Sequence, residues 1–235
     1  MAIRTVYERS DQVGVFIKIT NSFCIIPDNA PESFFRILKT EICGKIPIIQ
    51  TSIFGSRCIG RLIIGNKKGI IVPYQTTSQE FENLRRSLPE EVSIKRCEER
   101  FSALGNFACV NDYIALASPD FNNQTAEMLS DVLGVEIFRM CIGKENLVGS
   151  YCILNNNGGI INPNISNQEQ DELCSLLQIP LLIGTVNCGS RLIGSGMATN
   201  DLNTFCGLKT TQTELFVIET ALRKNNKYKK NINQY

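Results

Sequence analysis

The sequence predicts a closed α/β propeller of five similar units, and a repeated pattern carries this prediction. Apolar runs end in proline at Pro27, Pro73, Pro119 and Pro163, and Gly207 takes the fifth place, at intervals of 46, 46, 44 and 44 residues. Self-similarity with a period of this length is typical of propellers and solenoids. The chain is therefore expected to contain five units of about 45 residues each.

A second mark keeps the same register as the first. An apolar residue followed by glycine lies 13 or 14 residues before each of the five strand ends. The five pairs are Val13-Gly14, Ile59-Gly60, Leu104-Gly105, Val148-Gly149 and Ile193-Gly194. Two independent marks that hold one register five times are a specific signal of a structural repeat.

Each unit contains three strand-like segments and one helical segment. A single unit cannot bury both a sheet face and a helix stripe, so neighbouring units have to cover one another. No unit has the character of a capping repeat, which favours a closed ring over an open solenoid. We expect one five-repeat domain over residues 1–222, with units at about 1–44, 45–90, 91–133, 134–177 and 178–222.

The strands are predicted from short apolar segments that are rich in β-branched and aromatic residues. In the fourth unit, the segment Asn155-Asn156-Asn157-Gly158-Gly159 reads as a plain turn, because asparagine and glycine tolerate positive φ. In chain order, the predicted strands are residues 15–19, 23–26, 46–49, 70–72, 92–94, 113–116, 135–138 and 179–182.

One helix is predicted after each strand end, from apolar residues at helical spacing. Pro31 suits the first turn of the first helix. The second, fourth and fifth helices begin with capping boxes, in which a Ser or Thr is followed three residues later by Glu. The predicted helices are residues 31–43, 77–88 and 123–133, with two more that begin at Ser166 and Thr211.

Composition and charge place the chain among ordinary globular proteins. Hydrophobic residues make up 43% and charged residues 20% of the chain, and no run of about 18 apolar residues is present. Five of the 24 basic residues lie in residues 223–235, and the rest has 19 basic and 23 acidic residues. We expect a soluble intracellular monomer away from membranes, with a disordered basic tail at 223–235 or, as the alternative, a tail that contacts RNA.

The chain has ten cysteines and no histidine. Histidine is the commonest general base near neutral pH and the commonest zinc ligand. No cysteine is separated from the next by two to four residues, so zinc-knuckle spacing is absent. Most of the cysteines have apolar neighbours, which favours buried reduced thiols over disulfides. No metal site and no cofactor is predicted.

Several motifs resemble the family of eukaryotic translation initiation factor six, the ribosome anti-association factor. The resemblance covers about residues 1–222, and the motifs that carry it are GSRCIGR (55–61), EERFSALGN (98–106), NDY (111–113), VGSYC (148–152), QDEL (170–173), GTVN (184–187) and FCGL (205–208). The resemblance implies the pentein fold, in which five α/β units surround a pseudo-five-fold axis, in agreement with the five marks in the sequence.

The resemblance also implies a function. The family binds the intersubunit face of the large ribosomal subunit, where it meets ribosomal proteins and rRNA, and blocks premature joining of the small subunit. It acts in maturation and export of the large subunit, in the cytoplasm and in the nucleus and nucleolus, and is released by a GTPase and its cofactor protein. Such a factor works by occupying a surface, so no catalytic activity is expected.

The five apolar-glycine turns are expected on one face of the ring, because equivalent positions share a side under pseudo-symmetry. Four different residue types follow the five glycines (Val15, Arg61, Asn106, Ser150 and Ser195), which would suit a surface that contacts several different partner groups. The predicted ribosome-facing residues are Gly14, Arg57, Arg61, Gly105, Asn106, Asp112, Tyr151, Arg191, Leu192 and Gly194.

Each of these residues also has a structural interpretation. Glycine in a tight turn commonly serves positive φ or close packing. Arg57 and Arg61 could pair with the glutamates at 98–99, or contact rRNA phosphate or an acidic tail of a ribosomal protein. Asn106 could cap its own turn, and Tyr151 could belong to the core.

Ser175 is a candidate phosphorylation site. It matches one of a pair of serines that the family presents for phosphorylation, while the partner position here is Cys174. A phosphate at Ser175 would meet like charge from Asp171 and Glu172. The chain therefore departs from the family at this site.

Two other classes of function remain as alternatives. Some pentein relatives are guanidino-group hydrolases, which use a cysteine nucleophile together with a histidine and acidic residues. The ten cysteines supply candidates for the nucleophile, but no histidine exists to pair with one. The second alternative is an intracellular scaffold that binds a partner other than the ribosome.

Overall fold

The structure, a computed structural model, describes residues 2–223 of the chain. The predicted tail beyond Arg223 lies outside the described residues. The elements in chain order are β1 (Ala2–Thr5), α1 (Val13–Phe16), β2 (Lys18–Ile19), β3 (Cys24–Pro27), α2 (Glu32–Ile42), β4 (Ile48–Thr51), α3 (Ile59–Leu62), β5 (Ile64–Gly65), β6 (Gly69–Pro73), α4 (Ser78–Ser87), β7 (Ser93–Cys97), α5 (Leu104–Phe107), β8 (Ala108–Val110), β9 (Ile114–Ala117), α6 (Asn123–Leu133), β10 (Glu136–Arg139), α7 (Val148–Tyr151), β11 (Cys152–Leu154), β12 (Gly159–Ile161), α8 (Asn167–Leu177), β13 (Leu181–Ile183), α9 (Ile193–Gly196), β14 (Met197–Thr199), β15 (Thr204–Gly207) and α10 (Gln212–Leu222).

Five three-stranded sheets form the ring, and all have the same topology. In each sheet an antiparallel hairpin pairs in parallel with the first strand of the following unit, as β2 and β3 do with β4. The fifth hairpin, β14–β15, pairs with β1 at the other end of the chain, with Ala2 opposite Thr204 and Thr5 opposite Gly207. This pairing closes the ring and confirms the predicted five-fold α/β propeller.

The five long helices lie where the sequence predicts them. Thr77, Ser166 and Thr211 form complete capping boxes, in which the hydroxyl accepts from the backbone N–H of the third helical residue and the glutamate there accepts in return. These bonds satisfy backbone donors that the first helical turn leaves free. Pro31 takes the N-cap position, and Cys43 ends α2 in the left-handed conformation with φ of 51°.

Each long helix packs in an apolar cluster that crosses a unit boundary. Leu84 and Leu88 of the second unit, for example, share a cluster with Phe23 and Ile25 of the first unit. In the same way, Ile64 and Ile71 of the second unit pack into the cluster of the third. Neighbouring units thus cover one another, as the repeat pattern requires.

One local prediction is wrong, and a second holds only in part. Residues 15–19 were expected to form one strand, but Val13–Phe16 makes a single helical turn and only Lys18–Ile19 is extended. The same turn recurs in every unit, as α3, α5, α7 and α9. All ten cysteines lie in the described part of the chain and are free, but only five are buried, and Cys43 and Cys188 are exposed.

The glutamate of the last capping box, Glu214, also holds a distant loop, residues 185–189 between β13 and α9. The Glu214 carboxylate accepts from the Thr185 hydroxyl at 2.7 Å and from the backbone N–H groups of Cys188 and Gly189 at 3.1 and 2.8 Å. It also accepts the N–H of Thr211 at 2.8 Å. Although burial raises the pKa of Glu214, these hydrogen bonds lower it to about 2.

We expect Glu214 to make the stability of the protein depend on pH. Its folded pKa of about 2 lies below the ordinary value of 4.5, so its contribution is present above pH 4.5 and is lost as the pH falls toward 2. Glu214→Gln should lower the free energy of unfolding at pH 7 by about 2 kcal/mol, and the difference from wild type should shrink at acidic pH. Urea unfolding at several pH values measures both effects.

Glu169→Gln is the matched control for this prediction. Glu169 sits at the same position of its helix, but among residues 2–223 its carboxylate bonds only to Ser166. Its replacement should therefore have a smaller effect than the replacement of Glu214. Equal losses in the two variants would show that the helix cap, and not the loop, is the source of the stability.

Candidate functional site

The five glycines of the repeated pairs form a ring around the axis, which we call the glycine ring (Gly14, Gly60, Gly105, Gly149 and Gly194). All five are buried, and each packs against the backbone oxygen of the glycine in the preceding unit. At Gly105, an added Cβ would lie 2.7 Å from the oxygen of Gly60 and 2.8 Å from that of Ile63. Only glycine fits such an approach between backbones.

The glycine ring changes the interpretation of three predicted site residues. Gly14, Gly105 and Gly194 were expected on an exposed surface, but the structure buries them in contact with the neighbouring unit. Close packing explains why glycine occurs at each position, as the structural alternative proposed. The buried glycines therefore present no side chain to a partner.

Arg61, which follows Gly60, points toward the axis. Its Nη1 donates to the backbone oxygen of Gly149 at 2.7 Å, and its Nε is buried without a hydrogen-bond partner among residues 2–223. Burial lowers the pKa of this guanidinium to about 10. The proposed pairing of Arg61 with the glutamates at 98–99 is not found in the described part of the chain, and its guanidinium braces the glycine ring from inside.

Arg57 is exposed and pairs across a unit boundary. Its Nη1 lies 3.0 Å from Oε1 of Glu8, in the first unit, and both side chains are about half exposed. The pairing with the glutamates at 98–99, one of the two alternatives for Arg57, is not found among residues 2–223. An exposed pair of this kind contributes little to stability, so the guanidinium can exchange Glu8 for another anion at little cost.

Five predicted site residues surround the glycine ring and offer side chains to solvent, a set we call the short-helix face (Arg57, Asn106, Tyr151, Arg191 and Leu192). Arg57 and Arg191 occupy equivalent positions, three residues before a ring glycine, and both are exposed. Leu192 is 40% exposed. The Ser150 hydroxyl donates to Oδ1 of Asn106 at 3.2 Å, which fixes that side chain across the unit boundary.

Asp112 lies at the opposite end of the axis, on the turns that join the hairpin strands. It is 3% exposed, and its carboxylate accepts from the backbone N–H of Lys67 at 3.0 Å and from the side-chain amides of Asn21 and Asn156 at 2.7 Å each. The Lys67 ammonium is 3.8 Å away. Asp112 therefore does not share the short-helix face with Asn106, and its carboxylate is occupied within the ring of turns.

The turns form a second ring, the turn ring (residues 20–21, 66–67, 111–112, 155–156 and 200–201). Four of the five turns begin with a buried asparagine, and each of these lies six residues after a ring glycine. The side-chain amide of each donates to the backbone oxygen of the corresponding residue in the next unit: Asn66 to Asn111, Asn111 to Asn155, Asn155 to Asn200, and Asn200 to Thr20, at 2.8 to 3.2 Å.

This role is not among the sequence predictions, because residues 155–159 read as a plain turn. Asn155 also donates to the backbone oxygen of Leu222, at the end of α10, at 2.9 Å, and accepts from the N–H groups of Asn157 and Gly158. The signal was present in the fixed spacing of six residues from glycine to asparagine. The turn ring is therefore a contact between units as well as a set of loops.

Ser175 is exposed near the end of α8, away from both rings. Asp171 and Glu172 precede it by four and three residues, so both carboxylates share its side of the helix. Phosphorylation at Ser175 stays a prediction. No helix within residues 2–223 has both the length and the apolar character needed to span a lipid bilayer.

The sequence is similar to those of known proteins. Eukaryotic translation initiation factor 6 of Saccharomyces cerevisiae is 52% identical over 223 residues, which cover 95% of this chain and 91% of that protein. The Drosophila melanogaster factor of the same name is 47% identical over 225 residues, covering 96% of this chain and 92% of that protein. A model of the eIF-6 family matches residues 2–221.

Solved structures of lower similarity were also found. A dimethylarginine dimethylaminohydrolase adduct with S-methyl-L-thiocitrulline superposes with a TM-score of 0.49 at 16% identity, over 74% of this chain and 69% of that chain. The Pseudomonas aeruginosa enzyme complexed with citrulline gives 0.46 at 17% identity, over 78% and 72%. The match of the family model to nearly the whole described chain, together with relatives near 50% identity, shows that this chain belongs to the eIF-6 family.

Proposed function

We propose that this protein binds the large ribosomal subunit and prevents the small subunit from joining it. The observation that carries the proposal is membership of the eIF-6 family, which extends over all five units. Relatives with about half of their residues identical are named as translation initiation factors. We further propose that residues 1–222 act as one domain in this role.

The proposed mechanism is occupation of a surface. The closed sheets, the glycine ring and the turn ring tie each unit to its neighbours, so the ring can hold a partner subunit away without chemistry. The full chain has no histidine that could activate one of its cysteines as a nucleophile. Neither the hydrolase alternative nor the non-ribosomal scaffold has an observation in its favour.

The short-helix face is the surface that we propose to meet the ribosome. Arg57 and Arg191 present exposed guanidinium groups, which can bind rRNA phosphates or acidic protein segments in a bidentate manner. Leu192, next to Arg191, adds an exposed apolar side chain of the kind that anchors interfaces. At the other end of the axis, Tyr113 and Leu202 beside the turn ring are 67% and 58% exposed. This surface around the turn ring, the turn face, is the alternative.

The finer parts of the function follow from the same family membership. We propose that the protein takes part in maturation and export of the large subunit, and that it is present in the cytoplasm and in the nucleus and nucleolus. A release GTPase and its cofactor protein would remove it before subunits join. These steps require that binding is strong but confined to one face, so that a release factor can reach the others.

The experiment is co-sedimentation of the purified protein with isolated large or small ribosomal subunits at physiological salt. We expect binding to the large subunit alone. Asn106→Glu places a carboxylate on the short-helix face, where it would repel phosphates or acidic segments, so that affinity should fall about tenfold or more. A glutamate oxygen can still accept the Ser150 hydroxyl, and the variant should fold.

Asn157→Glu is the matched control on the turn face. Asn157 is partly exposed, and its side chain makes no hydrogen bond within the described part of the chain. Loss of binding in this variant, with Asn106→Glu unaffected, would move the interface to the turn face. Failure of the wild type to bind either subunit would contradict the proposed function and favour the scaffold.

A further inference from the structure

Two cations line the axial cavity between the glycine ring and the turn ring. The cavity has a volume of about 60 Å³, and Lys18 of β2 and Arg61 of α3 both border it. Lys18 lies four residues after its ring glycine, and the equivalent positions in the other units are uncharged: Ile64, Cys109, Ile153 and Ala198. The repeated fold itself therefore does not need a charged residue at this position.

Both cations have donors without acceptors. Within residues 2–223, the Lys18 ammonium has no hydrogen-bond or ion-pair partner. Arg61 uses Nη1 on the oxygen of Gly149, while its buried Nε donates to no protein atom in the same range. Lys18 and Arg61 are each only partly buried, and the buried unpaired donor is Nε of Arg61. A buried donor without an acceptor is costly, because it loses its hydrogen bonds to water.

The carboxylates that border the cavity do not neutralise these cations. Asp112 and Asp201 sit at the turn-ring end, where the amides of Asn21 and Asn156 donate to both of them at 2.7 to 3.0 Å. Burial, followed by the like charge of Arg61, lowers the pKa of Lys18 to about 8. This direction is typical of a cation that has no fixed counter-ion.

We propose that the axial cavity binds one small inorganic anion of the size of chloride, held between the Lys18 ammonium and Nε of Arg61. A volume of about 60 Å³ admits a monatomic ion or a few water molecules, and is far too small for a nucleotide or a metabolite of similar size. The anion neutralises both cations and gives the unused donors an acceptor. It thereby ties α3 of the second unit to β2 of the first.

One group of the protein itself competes for this role. Cys109 also borders the cavity, and although burial raises the pKa of its thiol, the hydrogen bond with Cys152 and the charges of Lys18 and Arg61 lower it overall. A Cys109 thiolate would supply the negative charge without a bound ion. Replacement of Cys109 distinguishes the two possibilities.

The decisive measurement is anomalous diffraction from crystals of the full chain grown with sodium bromide. We expect a bromide peak in the cavity of the wild type and of Lys209→Met, and no peak in Lys18→Met. Lys209 is a surface lysine paired with Asp11, so its variant controls for the loss of a positive charge. Lys18→Met should fold, because the equivalent residues in the other units are uncharged and mostly apolar.

Thermal unfolding in solution tests whether the ion matters outside the crystal. At equal ionic strength, chloride should raise the melting temperature of the wild type by about 2 to 4 °C relative to gluconate, and should have no such effect on Lys18→Met. The wild-type measurements decide the question even if that variant does not fold.

Three results would overturn the proposal. A cavity without a bromide peak in both the wild type and Cys109→Ala would mean that water fills it. A peak in Cys109→Ala alone would identify the thiolate as the native counter-ion. A wild-type peak without any chloride dependence of the melting temperature would mark an adventitious ion only.

Discussion

Gly149→Ala should destabilise the ring strongly, because it inserts a methyl group between the backbones of two units. The new methyl group would overlap the backbone oxygens of Gly105 and Ala108, which belong to the neighbouring unit. Neither oxygen can rotate away as a flexible side chain would, so whole units must move apart. We expect a loss of about 4 kcal/mol in the free energy of unfolding, measured by urea denaturation.

Gly44→Ala provides the control for this experiment. Gly44 adopts a positive φ of 69°, and no atom lies within 4 Å of an added Cβ. Its replacement should therefore cost only the conformational penalty of about 1 kcal/mol. A loss of similar size in Gly149→Ala would mean that the glycine ring tolerates expansion, and that close backbone packing does not set its stability.

Asn155→Ala is expected to have the second-largest effect. The substitution removes two amide donations, to the backbone oxygens of Asn200 and Leu222, and two acceptances, from the N–H groups of Asn157 and Gly158. The Leu222 oxygen and the N–H groups of Asn157 and Gly158 would lose these bonds, while the Asn200 oxygen would keep the Thr199 hydroxyl as a donor at 3.0 Å. Since unsatisfied buried groups are costly, we expect a loss of about 3 kcal/mol.

Asn157→Ala is the matched control, two residues along the same turn. It removes an amide that makes no hydrogen bond within residues 2–223, and it should change stability by less than about 0.5 kcal/mol. If both variants melt at the wild-type temperature, the turn ring contributes nothing to stability. If the melting temperature of Asn155→Ala alone falls, hydrogen bonds between units stabilise this end of the axis.

The number of units and the positions of the long helices could be predicted from the sequence, because local signals determine them. The capping boxes at Thr77, Ser166 and Thr211 are motifs of only four residues, and each marks the start of a helix. The one-turn helices after the apolar residues could not be predicted, because four residues such as Val13–Phe16 have strand composition. Their conformation is imposed by packing between units.

The site residues were harder to predict than the fold. Gly105 and Asn106 are adjacent in sequence, yet one is buried against Gly60 and the other is partly exposed. Asp112, only six residues after Asn106, lies at the far end of the axis. Which end a side chain reaches depends on contacts between residues about 45 positions apart, and no local pattern encodes them.

The pairing of β1 with β15 has a consequence for how the chain folds. Residues 2–5 must wait for residues 204–207, about 200 positions later, before the fifth sheet can form. Bringing such distant segments together costs loop-closure entropy and slows folding. Until then the first strand of a nascent chain keeps an unpaired edge, which is open to pairing with other chains. The β1–β15 pairing that closes the ring thus also leaves β1 open to aggregation while the chain is being synthesised.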